Sequence, residues 1–183
     1  MEVWQKCFLG SLIFLFINFY TIGLGAQDKK MILEYSKKPN LIICQVITNG
    51  ADKVVSELTS NQKVWFDVLK NISGGSKEWI RVAVFLREGT DAGNTSMLCE
   101  AINDALCVSP KDVLSIAVPV FHVWEVCNFG PLDTYDLTIN KINNEIKILK
   151  NIKDPMLLPI AEACIKDLES GQLPLKEYFE GTE

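Results

Sequence analysis

Hydrophobic residues along most of this chain recur every three or four positions, the spacing expected of amphipathic helices. The apolar stripes begin near Val54, Val64, Trp79, Leu98, Val113, Leu137 and Leu157. Short polar breaks containing Gly, Ser, Asn or Pro separate the stripes, as they do at helix ends. Because no alternating apolar runs are joined by hairpin turns, the pattern predicts about seven short helices and no sheet.

Residues near the predicted helix ends refine this assignment. Asp133 or Thr134 caps the longest predicted helix, whose apolar stripe starts at Leu137. Ser170-Gly171 marks the end of the last helix. The apolar run 41–47 is too short for its periodicity to distinguish a buried strand from a helical turn. The secondary structure of that run therefore stays open.

Neighbouring helices joined by brief turns pack side by side as antiparallel hairpins. We therefore expect an all-α fold, either a compact bundle or a short stack of antiparallel helical hairpins. The helical domain is assigned to residues 41–172, between a flexible, lysine-containing N-terminal arm at 27–40 and an acidic tail at 173–183. This length suits one domain rather than two.

The first 26 residues have a different character from the rest of the chain. Lys6 precedes an apolar run over residues 7–22, and Gly23 and Gly25 follow it. A basic start, an apolar centre and small residues before a polar segment are typical of a secretory signal peptide, so we assign 1–26 to one and place cleavage after Gly25 or Ala26. The same run is about long enough to stay in a membrane as an uncleaved anchor. Both alternatives predict a secreted or periplasmic protein.

Charge and cysteine content narrow the classes of function. The net charge is −5, and an acidic protein is a poor ligand for nucleic acid or anionic membrane surfaces, whereas it is compatible with a basic protein partner. No two cysteines have the C-x-x-C spacing of zinc or thioredoxin-type sites, and His122 is the single histidine. We therefore expect no metal and no cofactor.

The cysteines left after signal cleavage are expected to be structural, because thiols pair in oxidising compartments. If the last two helices form an antiparallel hairpin, Cys164 lies about 15 Å along the second of them, where the irregular segment after Cys127 can fold back to meet it. If one helix contains both Cys99 and Cys107, they are about 12 Å apart, too far for a disulfide, so these two can pair only if the helix ends before Cys107. The sequence therefore predicts a Cys127–Cys164 bond, with Cys44 as a candidate partner for one of the other two.

Two regions carry the residues most suggestive of function. Trp124 and His122 lie in an irregular segment, where an exposed aromatic residue marks a contact site. Asp91 and Asn94 lie in a polar loop beside Arg87 that caps the next helix and offers an exposed recognition edge. We take these five residues as a candidate contact surface. Asn71-Ile72-Ser73 and Asn94-Thr95-Ser96 also match the N-glycosylation pattern, which matters only in a eukaryotic host.

The stretch from Glu78 to Cys127 resembles a pattern found in uncharacterised exported bacterial proteins. The matching positions are Trp79-Ile80-Arg81-Val82-Ala83, Leu86 to Gly93, Ala105-Leu106, Pro110, Val113-Leu114 and Val126-Cys127. This resemblance implies an exported helical protein and brings no known activity or site residue.

These observations favour an exported, non-enzymatic helical protein that binds another protein, as an inhibitor or immunity-type partner of a toxin or wall hydrolase. One alternative is a small envelope enzyme that uses Cys127 and His122. Against it, neither an orienting third group nor an oxyanion hole is recognisable. The other alternative is a structural module of an envelope assembly. We expect no membrane contact once the signal peptide is removed.

Overall fold

The structure, a computed structural model, describes residues 36–127 and 134–180 together with Ile32 and Glu34, and it describes side chains as far as Gly171. Within this part of the chain every regular element is helical, which confirms the predicted all-α fold. The assigned signal peptide, 1–26, lies outside the described residues, as does most of the arm 27–40. None of the described helices is long and apolar enough to cross a membrane.

Nine α-helices occupy most of the described residues, numbered here in chain order. They are α1 (Pro39–Asn49), α2 (Ala51–Thr59), α3 (Gln62–Ser73), α4 (Lys77–Leu86), α5 (Ala92–Val108), α6 (Pro110–Asp112), α7 (Val123–Cys127), α8 (Tyr135–Leu149) and α9 (Leu158–Glu180). A 3₁₀ turn, Arg87–Gly89, follows α4, and a π-helical turn, Val113–Ala117, continues α6.

The helices pack around one contiguous hydrophobic core. The largest contacts join α3 to α5, α8 to α9, α1 to α4 and α7 to α9. Consecutive helices such as α8 and α9 pack together as predicted, while α1–α4 and α3–α5 pair helices that are further apart in the chain. Side chains without exposed surface, including Ile42, Leu58, Ile72 and Leu106, come from α1, α2, α3 and α5 and make this a shared core.

The first apolar run, which the sequence left open, forms helix α1. Pro39 occupies its first turn, where the missing N–H removes no helical hydrogen bond. Ile42 and Ile43 are its buried residues. Ile32 is also buried, so part of the segment assigned to the arm contributes to the core.

Two helix boundaries show what the sequence pattern specified well and what it did not. The Thr134 side chain accepts a hydrogen bond from the Leu137 amide, which confirms the predicted cap, but the Leu137 side chain is 52% exposed and lies outside the buried stripe. The predicted end at Ser170-Gly171 is wrong, because α9 continues to Glu180. The Ser170 hydroxyl donates to the Asp167 carbonyl oxygen inside the helix, and Gly171 does not take a positive φ.

Gly89 fixes the 3₁₀ turn closely against α2. A Cβ atom at this position would lie 2.5 Å from the Ala51 carbonyl oxygen, so a glycine is required for the close approach. The same turn carries Arg87, whose side chain is central to the polar cluster described next. The backbone contact between Gly89 and Ala51 therefore sets the position of that arginine.

Candidate functional site

A polar stripe runs along one side of α5, from the edge of the apolar core, where Thr95, Cys99 and Cys107 are half-buried, into the core, where Asn103 is buried. Its members recur every four residues and therefore share one face of the helix. We call these residues, together with the two buried glutamates that they meet, the polar seam: Thr95, Cys99, Asn103, Cys107, Glu125 and Glu145. Glu125 belongs to α7 and Glu145 to α8, so the polar seam lies where α5 meets both helices.

At one end of the polar seam, Glu125 is held by two groups although it is only 7% exposed. Arg87 Nη2 lies 2.7 Å from Glu125 Oε1, and the backbone N–H of His122 donates to Glu125 Oε2 at 2.9 Å. The Arg87 guanidinium also lies 5.7 Å from the centre of the Phe121 ring and 3.4 Å from the Thr95 hydroxyl. Such a pair is costly to break, because removing one partner leaves a buried charge uncompensated.

At the other end, Glu145 has no exposed surface and weak hydrogen-bond partners. Asn103 Nδ2 donates to Glu145 Oε2 at 3.3 Å, and the Cys107 thiol lies 3.7 Å from Glu145 Oε1. The same Asn103 amide donates to the Val126 carbonyl oxygen at 3.0 Å, which connects α8, α5 and α7. Burial raises the pKa of Glu145 to about 7, an effect that the nearby Lys141 ammonium partly offsets.

The two thiols of the polar seam are free but poorly ionised. Burial raises the pKa of Cys99 to about 11, and the charge of Glu125 contributes in the same direction. Burial and the charge of Glu145 raise the pKa of Cys107 to about 11 as well. Since the thiolate is the nucleophile, neither cysteine is activated for covalent chemistry at neutral pH.

His122 and Trp124, both predicted contact residues, lie together at the surface. Their rings stack with centroids 6.2 Å apart and planes 10° from parallel. His122 is exposed, the Trp124 side chain is 59% exposed, and Val120, two residues before His122, is 45% exposed. We call Val120, His122 and Trp124 the aromatic surface.

The other three predicted contact residues lie around the neighbouring loop. The Asp91 carboxylate caps α5 by accepting from the Asn94 amide at 2.9 Å, and its side chain is exposed. Arg87 turns its guanidinium inward, toward Glu125 and Thr95. Arg87 therefore links the start of α5, through Thr95, to α7, through Glu125, while Asp91 and Asn94 contact each other rather than the aromatic surface.

Of the two cysteine pairings that the sequence suggested, one is confirmed and the other is wrong. Cys127 and Cys164 are bonded, with Cα atoms 5.3 Å apart and neither residue exposed, which confirms the predicted pair. The proposed pairing of Cys44 with Cys99 or Cys107 is wrong, since both of those are free thiols and Cys44 is disulfide-bonded. Helix α1 packs on α2 and α4, whereas α5 turns its cysteines toward α7 and α8.

The Cys127–Cys164 bond also bears on the enzyme alternative. The Cys127 sulfur is shared with Cys164 and buried, while the His122 ring stacks on Trp124 at the surface. In this oxidised state Cys127 offers no thiol for His122 to activate. Among the described residues, no group of three or more His, Cys, Asp or Glu side chains is arranged to hold a metal ion.

Sequence reasoning missed the buried members Asn103, Glu125 and Glu145. A signal for two of them was present. Glu145 stands three residues after Ile142 and four before Leu149, on the apolar stripe of α8. Asn103 stands midway between Cys99 and Cys107 at helical spacing. A charged or amide residue on an apolar stripe is the pattern of a buried polar contact.

Fold and site together define a disulfide-linked, all-α domain with a polar seam in its core and an exposed aromatic pair beside it. Comparisons with protein families, with curated proteins and with solved structures find no match to this chain. The resemblance of residues 78–127 to uncharacterised exported bacterial proteins therefore stays a prediction.

Proposed function

We propose that this protein works outside the cytoplasm by binding another protein through the aromatic surface. The observation that carries the proposal is a stacked, solvent-exposed His122–Trp124 pair at the start of α7, a helix of only five residues that His122 immediately precedes. So short a helix has little stability of its own, and its conformation must come from contacts with the rest of the domain. Large aromatic side chains presented in this way are typical centres of binding energy.

The contacts that hold α7 support this role, because they fix the aromatic surface before a partner arrives. Glu125 bonds to Arg87 and to the His122 amide at the start of α7. Asn103 bonds to the Val126 carbonyl oxygen, and the Cys127–Cys164 disulfide ties the end of α7 to α9. A surface that is ordered in advance loses less conformational entropy on binding.

The net negative charge of the protein favours a basic protein as its binding partner. The chain carries a net charge of −5, and the exposed Glu88 and Asp91 flank the arginine that joins the loop to α7. An exposed indole ring on an acidic protein suits a Lys or Arg side chain, which binds to aromatic faces and is attracted to negative charge. An inhibitor or immunity-type partner of a cationic toxin or wall hydrolase is the specific form of this proposal. The buried disulfide is compatible with an oxidising compartment.

Site-specific photo-crosslinking tests the surface in the producing cell. A photoreactive phenylalanine analogue replaces Trp124 in one variant and Phe66 in another. Phe66 is the matched control, since it is 47% exposed and lies on α3. We expect a discrete protein adduct from position 124 and none from position 66. Adducts of equal yield at both positions, or at neither, contradict the proposed surface.

Affinity for the captured and purified partner then measures the contribution of Trp124. Substitution of a central aromatic residue by Ala typically costs about 2 kcal/mol, or roughly 30-fold in Kd. We expect Trp124→Ala to weaken binding by about this factor and Phe66→Ala to change it less than about twofold, both measured by calorimetry. An unchanged Kd for Trp124→Ala would refute the assignment.

A further inference from the structure

We propose that the polar seam is a proton-operated latch: protonated Glu145 holds α8 against α5, and loss of the proton loosens that contact and exposes Cys107. This inference does not depend on the proposed binding function. It concerns a different set of residues, in the core rather than at the aromatic surface, and it predicts a change that the protein undergoes without a partner.

The hydrogen-bond geometry around Glu145 fits a neutral carboxylic acid better than a carboxylate. Hydrogen bonds between a carboxylate and a charged N–H donor are short, about 2.7–2.9 Å, whereas the donors to Glu145 are a neutral amide and a thiol. The Asn103 amide is 3.3 Å from Oε2, and the thiol near Oε1 is a weak donor at 3.7 Å. In the protonated state one oxygen still accepts from Asn103, and the other carries the proton and donates it toward the Cys107 sulfur. No heavy atom has to move.

The charged groups around Glu145 do not neutralise it. On its own helix the nearest is Lys141, and on α5 the titratable groups are Asp104 and Cys107. Lys141 Nζ lies 2.8 Å from Asp104 Oδ1, so its charge is already engaged. The contact from α7 is the uncharged Val126 carbonyl, reached through Asn103, and the Glu125 carboxylate of that helix is paired with Arg87. Helix α9 also packs against α8, and the described side chains that α9 buries, Ala161, Cys164 and Leu168, carry no charge. Burial without a dedicated counter-charge is what brings the pKa of Glu145 to about 7.

An ionised Glu145 must therefore be stabilised by water, and the α5–α8 contact is where water can enter. Cys107, directly beside Glu145, is half-buried, whereas Asn103 behind it has no exposed surface. The Asn103 side-chain oxygen has no hydrogen-bond partner and gains one when water enters. The Cys127–Cys164 bond keeps α7 attached to α9, which confines the change to a local opening.

The two free thiols allow the opening to be measured within one protein, with Cys99 as the reference for Cys107. Cys99 and Cys107 lie on the same face of α5, are both half-buried, and both have a pKa of about 11. Ionisation of the thiols with rising pH gives both sites a common acceleration, which the ratio of the two rates removes. A negative charge on Glu145 by itself raises the pKa of Cys107 and lowers the ratio, so a ratio that rises with pH reports opening around Cys107. The disulfide-intact protein is alkylated at a series of pH values between about 5.5 and 8.5, and each site is quantified by mass spectrometry.

We expect the Cys107 to Cys99 rate ratio to rise about tenfold across this range, with its midpoint near the pKa of about 7. In Glu145→Gln, which keeps the shape and cannot ionise, we expect the ratio to stay at its low-pH value. A ratio that is constant in the wild type, or that rises equally in Glu145→Gln, overturns the latch.

A second measurement covers the case in which Glu145→Gln does not fold. Hydrogen exchange of the wild-type protein, corrected for the intrinsic effect of pH, compares α8 with α3. We expect exchange in α8 to accelerate between about pH 6 and pH 8 while α3 stays unchanged. Equal behaviour of the two helices contradicts a local opening at the polar seam.

Discussion

The buried carboxyl of Glu145 makes the stability of the domain depend on pH, and Glu145→Gln removes that dependence. The folded state raises the pKa of Glu145 from 4.5 to about 7, so the folded protein binds this proton more tightly than the unfolded chain does. The resulting stabilisation is complete below about pH 4.5. It decreases as the pH rises toward 7 and is absent above that value.

The size of the effect follows from the two pKa values. Each pH unit between them corresponds to 1.36 kcal/mol, so the difference between 4.5 and about 7 gives at most about 3 kcal/mol. This amount is a large share of the stability of a typical domain, about 5–15 kcal/mol. The glutamine amide has no charge to desolvate and keeps an oxygen that accepts from Asn103.

Urea unfolding followed by circular dichroism, at about pH 5 and pH 8, measures this contribution of Glu145 to stability. We expect the difference in unfolding free energy between wild type and Glu145→Gln to shift by about 2–3 kcal/mol in favour of the variant at the higher pH. Glu100→Gln, at an exposed position of α5, is the control and should show no such shift. If the unfolding free energy changes between the two pH values by the same amount in Glu145→Gln as in the wild type, the reasoning is refuted.

Three further changes should lower stability in the same urea assay. Arg87→Met leaves Glu125 buried without its counter-charge and should cost about 2–3 kcal/mol, reduced from the value for a fully buried pair because Arg87 is 27% exposed. Gly89→Ala forces a Cβ onto the backbone of α2 and should cost about 2 kcal/mol or more. Replacing Cys127 and Cys164 by Ala removes a cross-link between residues 37 apart and should cost about 4 kcal/mol.

Each of these changes has a matched control. Glu88→Gln alters an exposed charge next to Arg87 and should leave stability within about 0.5 kcal/mol of the wild type. Gly93→Ala adds a Cβ that meets only the Asp91 carboxylate at 3.8 Å, an ordinary contact. Cys99→Ala removes a free thiol instead of a bonded one. If a control destabilises as much as its test variant, the corresponding contact does not have the role assigned to it.

Local patterns were sufficient for the helices and for one disulfide. Apolar spacing depends on helix geometry alone, so the stripes in α3 and α8 and the cap at Thr134 were readable in the sequence. The Cys127–Cys164 pair followed from one further assumption, that the last two helices pack together, which the α8–α9 contact confirms.

The polar seam depended on contacts that no local pattern contains. The bond between Asn103 and Glu145 joins residues 42 apart, and the Arg87–Glu125 pair joins residues 38 apart. In the sequence, Glu145 lies among lysines and asparagines, and this pattern alone indicates a solvent-exposed helix face. The prediction that α9 ends at Ser170-Gly171 also relied on local sequence alone. A glycine is a typical helix end where the backbone takes a positive φ, and Gly171 does not take one.

The raised pKa values of Cys99 and Cys107 have a consequence for the correctness of disulfide pairing. Exchange between a thiol and a disulfide proceeds through the thiolate. A pKa raised from 9.0 to about 11 lowers the thiolate fraction at neutral pH by about a hundredfold. While the polar seam is closed, these two cysteines are therefore slow to attack the Cys127–Cys164 bond. Below the pH at which the polar seam opens, two unpaired thiols and a disulfide can therefore coexist in one domain with slow exchange between them.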